Sequence, residues 1–220
     1  MKFSAPARFA AALALLSLTT LAQQSPTPPS APAKHSDTAD PGTLTDGLYR
    51  NPSFAFSYKL PFGWVDRTQQ MRDDSADSKS WVLLAAFERP PEATGNTVNS
   101  AVIIAAESVS SYPGLKTAAQ YFGPLAELTV AKGFKVVNEP YEFPVDTKPL
   151  VREDFVREDF RKPVASLTMY QSSLALLQKG YVLSFTLIGG SDDEVTALIE
   201  GLTFSVSRQS KSTHPQPASK

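Results

Sequence analysis

The sequence predicts a single α+β domain between two polar tails. Three observations predict it. Several stretches alternate apolar and polar residues at the period of a half-buried strand. Two others place apolar residues three and four apart, the spacing of a helix packed by one face. Both kinds fall in one continuous block, from Gly47 to Val206, with no break in composition. That block is about 160 residues, a size that one hydrophobic core can serve.

The chain opens as an export signal. Met1-Lys2 and Arg8 make a basic start, Phe9 to Leu21 is apolar, and Thr20-Leu21-Ala22 ends the run on small residues. This layout predicts a signal peptide over 1–22, removed after Ala22. The apolar run is about a dozen residues, short of the roughly 20 that cross a bilayer. From Gln23 to Asp46 the chain is rich in Pro, Ser, Thr and Ala, with Leu44 its one large aliphatic residue. Such a stretch buries too little to offset its ordering entropy, so 23–46 is expected to be a disordered Pro-rich spacer. The same reasoning applies to 207–220, where Pro215 and Pro217 stand and no aliphatic residue follows Val206.

Within the domain, Phe54, Phe56, Tyr58 and Leu60 share one face of a strand that Pro61-Phe62-Gly63 ends. Trp81–Phe87 and Val98–Ala106 are nearly continuous apolar runs, as in central strands buried on both faces. Gly114 to Lys132 carries Ala118, Tyr121, Phe122, Leu125, Leu128 and Thr129 at helical spacing, and Gly133 suits a left-handed cap. Gly123-Pro124 in mid-helix predicts a bend or a break there. Short strands are expected at Phe134–Asn138, Leu150–Val156 and Val164–Leu177, and Gln178-Lys179-Gly180 turns the chain tightly into Tyr181–Ile188. Ser191 and Glu194 have capping-box spacing for a last helix with Val195, Leu198, Ile199 and Leu202 as its buried stripe.

Val151-Arg152-Glu153-Asp154-Phe155 is repeated at once as Val156-Arg157-Glu158-Asp159-Phe160. Five is an odd number, so in a strand the two copies present opposite faces. The second copy is therefore expected past the strand, in the turn before Pro163, or at a bulge.

Composition excludes several chemistries. The chain has no cysteine, which removes disulfides, thiol catalysis and a lipid-modified N-terminus. Both histidines, His35 and His214, lie in the tails, so no histidine base or ligand is available to the domain. There are 21 Lys and Arg against 22 Asp and Glu; without Lys2 and Arg8 the balance is 19 to 22, a net charge of −3. No basic stripe points to nucleic acid or anionic lipid. No phosphate-binding glycine loop, nucleophile elbow or calcium loop occurs. Glu153, Asp154, Glu158 and Asp159 form the one dense carboxylate cluster, and Arg152 and Arg157 beside them point to ion pairs on a solvated face. Asp73, Asp74 and Asp77 read as a solvated loop. No catalytic, cofactor-binding or metal-binding residue is assigned. Most aromatics fall on strand faces and belong to the core. Phe62, Trp64 and Tyr112, beside turns, are the candidates for contact with a partner.

The strand Phe54-Ala55-Phe56-Ser57-Tyr58-Lys59-Leu60 running into Pro61-Phe62-Gly63-Trp64, the helix ending at Gly133-Phe134-Lys135-Val136, the hairpin at Gly180-Tyr181-Val182 and the closing helix before Phe204 together resemble the Mog1/PsbP-like fold. The resemblance spans most of 48–205. It implies an antiparallel sheet flanked by helices, an α/β/α sandwich, and proteins of that kind are mostly non-enzymatic and bind partners. The expectation is an exported, periplasmic or secreted module that recognises an envelope or extracellular protein. The alternative is a carrier or sensor of a small apolar ligand with a pocket between sheet and helix.

Overall fold

The computed structural model describes residues 39–74, 80–159 and 167–204, all in one of the two units into which the chain divides, Asp37–Lys220. The expected signal peptide over 1–22, most of the spacer and the tail from 207 lie outside the described residues, as do His35, His214, Asp77 and Phe160. In chain order the elements begin with β1 (Thr43–Thr45), β2 (Leu48–Asn51), β3 (Phe56–Lys59), β4 (Val65–Asp66) and α1 (Thr68–Asp74). They continue with β5 (Ser80–Phe87), β6 (Ala101–Ser108), α2 (Ala118–Ala131), β7 (Lys135–Val145) and β8 (Lys148–Asp159). The last are β9 (Leu167–Gln178), β10 (Tyr181–Gly189), α3 (Asp192–Ile199) and β11 (Leu202–Phe204).

The α+β class and the antiparallel pairing follow the sequence expectation. A seven-stranded sheet runs β4-β5-β6-β10-β9-β8-β7, and a second, four-stranded sheet runs β1-β2-β3-β11. The second sheet is an addition to the expected sandwich. It shares one face of the large sheet with α3, while α2 packs on the other face.

The layer between the sheets is the main core. Along β9 and β10, Leu174, Leu183, Phe185 and Leu187 meet Phe56, Tyr58 and Phe204 of the small sheet and Val195, Leu198 and Ile199 of α3. Phe185 stands edge-on to Phe56 at 5.4 Å and to Phe204 at 6.2 Å. Each such ring taken from water contributes about 1.5–3 kcal/mol. The Tyr58 hydroxyl donates to the Leu198 carbonyl at 2.7 Å, fixing the end of α3 to β3. Gly201 is needed where the chain turns back, because a Cβ there would stand 2.8 Å from the Lys59 carbonyl.

Local chemistry explains the elements. Ser191 caps α3 by accepting from the Glu194 N–H at 3.1 Å. The Glu194 carboxylate completes the cap one residue out, at the Gly190 N–H, 2.8 Å. α2 runs through Pro124 without a break. The helix forgoes one backbone bond there, and the buried Tyr121 and Phe122 on one side and Thr129 on the other hold its two halves to the sheet. At its start Gln120 Oε1 accepts from the Lys116 and Thr117 N–H groups.

Four expectations need correction. Asp73 and Asp74, expected in a solvated loop, are the last residues of α1. The spacer 23–46 ends early: β1 forms within it, because Leu44 packs on the main core and Asp46-Gly47, both at positive φ, make the tight hairpin turn into β2. The short strands expected at Phe134–Asn138 and Leu150–Val156 are a long hairpin of 11 and 12 residues. Pro140 and Pro144 are tolerated in β7 because it is the sheet's edge, where it bulges against β8 around Asn138. The first four residues of the second copy of the repeat lie inside β8 rather than beyond it: Val156 to Asp159 pair with Tyr170 to Leu167 in unbroken register.

Candidate functional site

β8 is next to the edge strand, and alternation along it sends Leu150, Arg152 and Asp154 towards the inter-sheet layer. Val151, Glu153, Phe155 and Arg157 face the α2 side. Buried polar side chains concentrate here. Of the ten buried polar or charged residues among those described, six lie on β8 and β9: Arg152, Glu153, Asp154, Gln171, Ser172 and Ser173. Elsewhere the large sheet is buried by aliphatic and aromatic groups, so this strand pair is chemically distinct.

On the inter-sheet side the centre is Asp154. Its Oδ1 accepts from Arg152 Nε at 2.7 Å and from the Ser172 hydroxyl at 2.5 Å. Its Oδ2 accepts from the Asn138 amide and the Tyr141 hydroxyl, both at 3.0 Å. Burial alone would raise this carboxyl's pKa, but the bonds from Ser172, Arg152 and Asn138 outweigh it and hold it below the usual range. The Arg152 guanidinium lies over the rings of Phe143, at 5.0 Å, and Tyr141, at 5.9 Å. Burial and the Asp154 charge push the Tyr141 hydroxyl up to about 12. The expected ion pair of the repeat is therefore real, but it joins two residues of one strand in a buried network rather than crossing strands on a solvated face.

The adjacent acid behaves in the opposite way. Glu153 is 2% exposed, and its Oε2 has no hydrogen-bond partner. Ser173 stands opposite it in the ladder but accepts instead from Gln171, at 3.1 Å. Burial lifts Glu153 to about 7, with the charges of Glu139 and Asp154 adding to the rise. Because Glu153 and Asp154 point to opposite faces, they cannot act as an acid–base pair in one cleft. Glu158 is exposed, and the Asp159 side chain lies outside the described residues. In the second copy of the repeat, Arg157 covers the Phe134 ring at 4.9 Å and donates to the last turn of α2 at the Lys132 carbonyl, 3.3 Å. Among the described residues no three His, Asp or Glu side chains gather to hold a metal ion, and no helix is long and apolar enough to cross a membrane.

The Asp154 network opens onto a cleft of about 230 Å³ between the β7 edge and the start of α3, where Val137, Asn138, Asp154, Tyr170, Ser172 and Asp192 line the walls. Val137, 56% exposed, and Tyr141, 37% exposed, stand at this edge.

The sequence-derived contact residues are not brought together. Phe62 is fully exposed on the turn between β3 and β4, held by Gly63 at φ 83°. Trp64 is half-buried against the main core. Tyr112 is also half-buried; its hydroxyl donates to Glu107, and its ring stands edge-on to Tyr121 at 5.5 Å. It lines a cavity of about 410 Å³ with Pro113, Leu115, Gln120 and Pro124. β4 pairs with the last residues of β5, whereas Tyr112 follows the end of β6, which pairs with the first residues of β5. Phe62 and Tyr112 therefore sit at opposite ends of the strands, about 24 Å apart along them. Phe62 shares its end of the sheet with the Asp154 cleft, across the sheet's width. The cleft residues carried no signal in the sequence that separates them from a solvated charge cluster; Asn138 closes the expected strand from Phe134, and Tyr141 falls in the part of β7 that its prolines disguise.

No protein-family model matches the sequence, and no curated protein matches it. Among solved structures the chain is similar to the solution structure of cyanobacterial PsbP from Synechocystis sp. PCC 6803. Identity is 12%, the match covers 72% of this chain and 91% of that one, and the TM-score is 0.46. It is also similar to LpqN, involved in cell envelope biogenesis of Mycobacterium tuberculosis, with 14% identity, 76% and 87% coverage and a TM-score of 0.36. A Pseudomonas aeruginosa protein of unknown function is similar at 16% identity, 70% and 88% coverage and a TM-score of 0.34.

Proposed function

We propose that the chain is an exported, non-enzymatic binding module of the cell envelope, and that it meets a protein partner at the end of the sheet carrying Phe62 and the Asp154 cleft. One observation carries this reading. Asp154, the carboxylate at the floor of the cleft, accepts four hydrogen bonds, two on each oxygen. A group so fully engaged is not free to act as base or nucleophile; it makes the cleft a rigid, pre-shaped surface. The exposed Val137 and Phe62 supply the apolar contacts that a partner needs.

The test is affinity capture with the full chain from an envelope extract of its own host, at moderate salt. One enriched protein, retained by the wild type and lost with Phe62→Ala or Val137→Ser, is the expected result. Capture of no protein above the background of a control column overturns the reading. The cavity beside Tyr112 favours a second reading, a carrier of a small apolar ligand. A thermal-shift screen of apolar ligands, with a rise in melting temperature cancelled by Leu115→Ser, separates that reading from the first.

A further inference from the structure

The cleft at the β7 edge has a chemistry that selects among protein partners. The two lining residues that carry charge at neutral pH are both acids, Asp154 and Asp192. Arg152 neutralises Asp154 from below, at 2.7 Å. Asp192 is exposed in the first turn of α3, next to Asp193, and neither makes an ion pair among the described residues. Its charge reaches into the cleft region, where it contributes to the raised pKa of Tyr141. Glu142 pairs with Val151 and Glu139 acts on Glu153, so these two acids of β7 face the α2 side and are not part of the cleft wall. Asn138 commits its amide nitrogen to Asp154, which leaves its amide oxygen as an acceptor. The wall is thus acceptor-rich and negative, with the apolar Val137 and the ring of Tyr170 beside it.

The edge strand also limits how a partner can sit. Pro140 and Pro144 remove two N–H donors from β7, and the strand bulges against β8 between Val136 and Tyr141. An added strand cannot pair along its whole length. Recognition then falls to side chains entering the cleft rather than to extension of the ladder.

We propose that this cleft takes a lysine or arginine side chain from an extended, basic partner segment, with Asp192 as the counter-charge, Asn138 as a neutral acceptor and Val137 packing on the side chain's aliphatic stem. The proposal rests on the binding-module reading and names the chemistry of its partner. An aliphatic stem against an apolar wall with its charged head at an acceptor is how long basic side chains are ordinarily accommodated. Because the floor carboxylate is already paired, the incoming cation meets one acid without an ion-pair partner, itself partly offset by the positive end of α3, so the contact is weak and further weakened by salt.

The experiment is a titration of the isotope-labelled full chain with two peptides of equal length, acetyl-Val-Lys-Val-Arg-Val-Lys-Val-amide and acetyl-Val-Glu-Val-Gln-Val-Glu-Val-amide, read by amide shifts. The expected result is saturable movement of the Asn138 side-chain amide and the Asp192 and Ser172 backbone amides with the basic peptide alone. Asp192→Asn should weaken that binding by about five-fold, the worth of one partly exposed ion pair. Asp192 is exposed, so this variant keeps the wild-type melting temperature within a few degrees, which a thermal melt verifies. Equal response to both peptides, movement centred away from the cleft, or full affinity in Asp192→Asn overturns the proposal. If envelope capture succeeds while the basic peptide leaves the cleft amides unmoved, the binding-module reading stands and this proposal alone falls.

Discussion

Phe56, Phe185 and Phe204 fill the layer between the two sheets, Phe185 edge-on to both of the others and those two tilted to one another. At the β7 edge of the large sheet, the same face carries Arg152 and Asp154 instead. Both regions are buried, and they are buried by different means. The rings are non-directional and tolerate neighbours of many shapes. The ion pair is held by Ser172, Asn138 and Tyr141 and tolerates few arrangements. Removing two charges from water costs about as much as their attraction returns, so a buried pair adds little net stability while its loss is severe. A sheet that needed only cohesion would continue the aliphatic pattern of Leu174 and Leu187 to its edge. On the binding-module reading proposed above, the inter-sheet layer serves stability and the β7–β8 edge serves the shape of a surface.

Breaking one member of each region sharpens that comparison. Asp154→Ala leaves Arg152 buried without its partner and is expected to destabilise the domain by about 3–5 kcal/mol. Phe185→Ala costs a similar ~3–5 kcal/mol by opening a cavity. Urea unfolding measures both. The two variants separate at the cleft: Asp154→Ala abolishes binding of the basic peptide in the surviving folded fraction, and Phe185→Ala leaves it unchanged.

A smaller effect isolates Glu153. Its folded-state pKa is about 7 against 4.5 for the free group, so the folded domain holds the proton more tightly than the unfolded chain. The corresponding stability is fully present below about 4.5 and is lost as pH rises through about 7. The loss between pH 5 and pH 8 is on the order of 2–3 kcal/mol. Glu153→Gln should remove it and make the domain more stable than wild type at pH 8. Denaturation midpoints across that range test this, and a wild-type midpoint that does not fall between pH 5 and pH 8 contradicts it.

Where elements are defined by local chemistry, the sequence was legible. The turn at Lys179-Gly180, with φ of 52° and 79°, the Ser191 cap and the buried face of Phe54, Phe56, Tyr58 and Leu60 follow from residue type and spacing. Asp46-Gly47 carried the same hairpin signal and was masked by the Pro- and Thr-rich composition before it. β7 was expected only as far as Asn138; its second half was hidden because Pro140 and Pro144 end a central strand and are harmless at an edge, and edge position is a property of the whole sheet. The odd period of the repeat did place its two arginines on opposite faces, one in the Asp154 network and one capping α2. What no local pattern could convey is that Arg152, Glu153 and Asp154 are buried. An alternating charged strand reads as solvated until α2, α3 and the second sheet are laid against it.

Site-specific photocrosslinking in the host envelope shows whether the β7 edge is the working surface. A photoreactive residue in place of Val137, exposed at that edge, is compared with one in place of Ser110, exposed at the far end of the strands beside Tyr112. The account predicts one discrete crosslinked protein from position 137, competed by the basic peptide, and none from position 110. A discrete product from position 110 with none from position 137 would contradict it and move the working surface to the Tyr112 cavity.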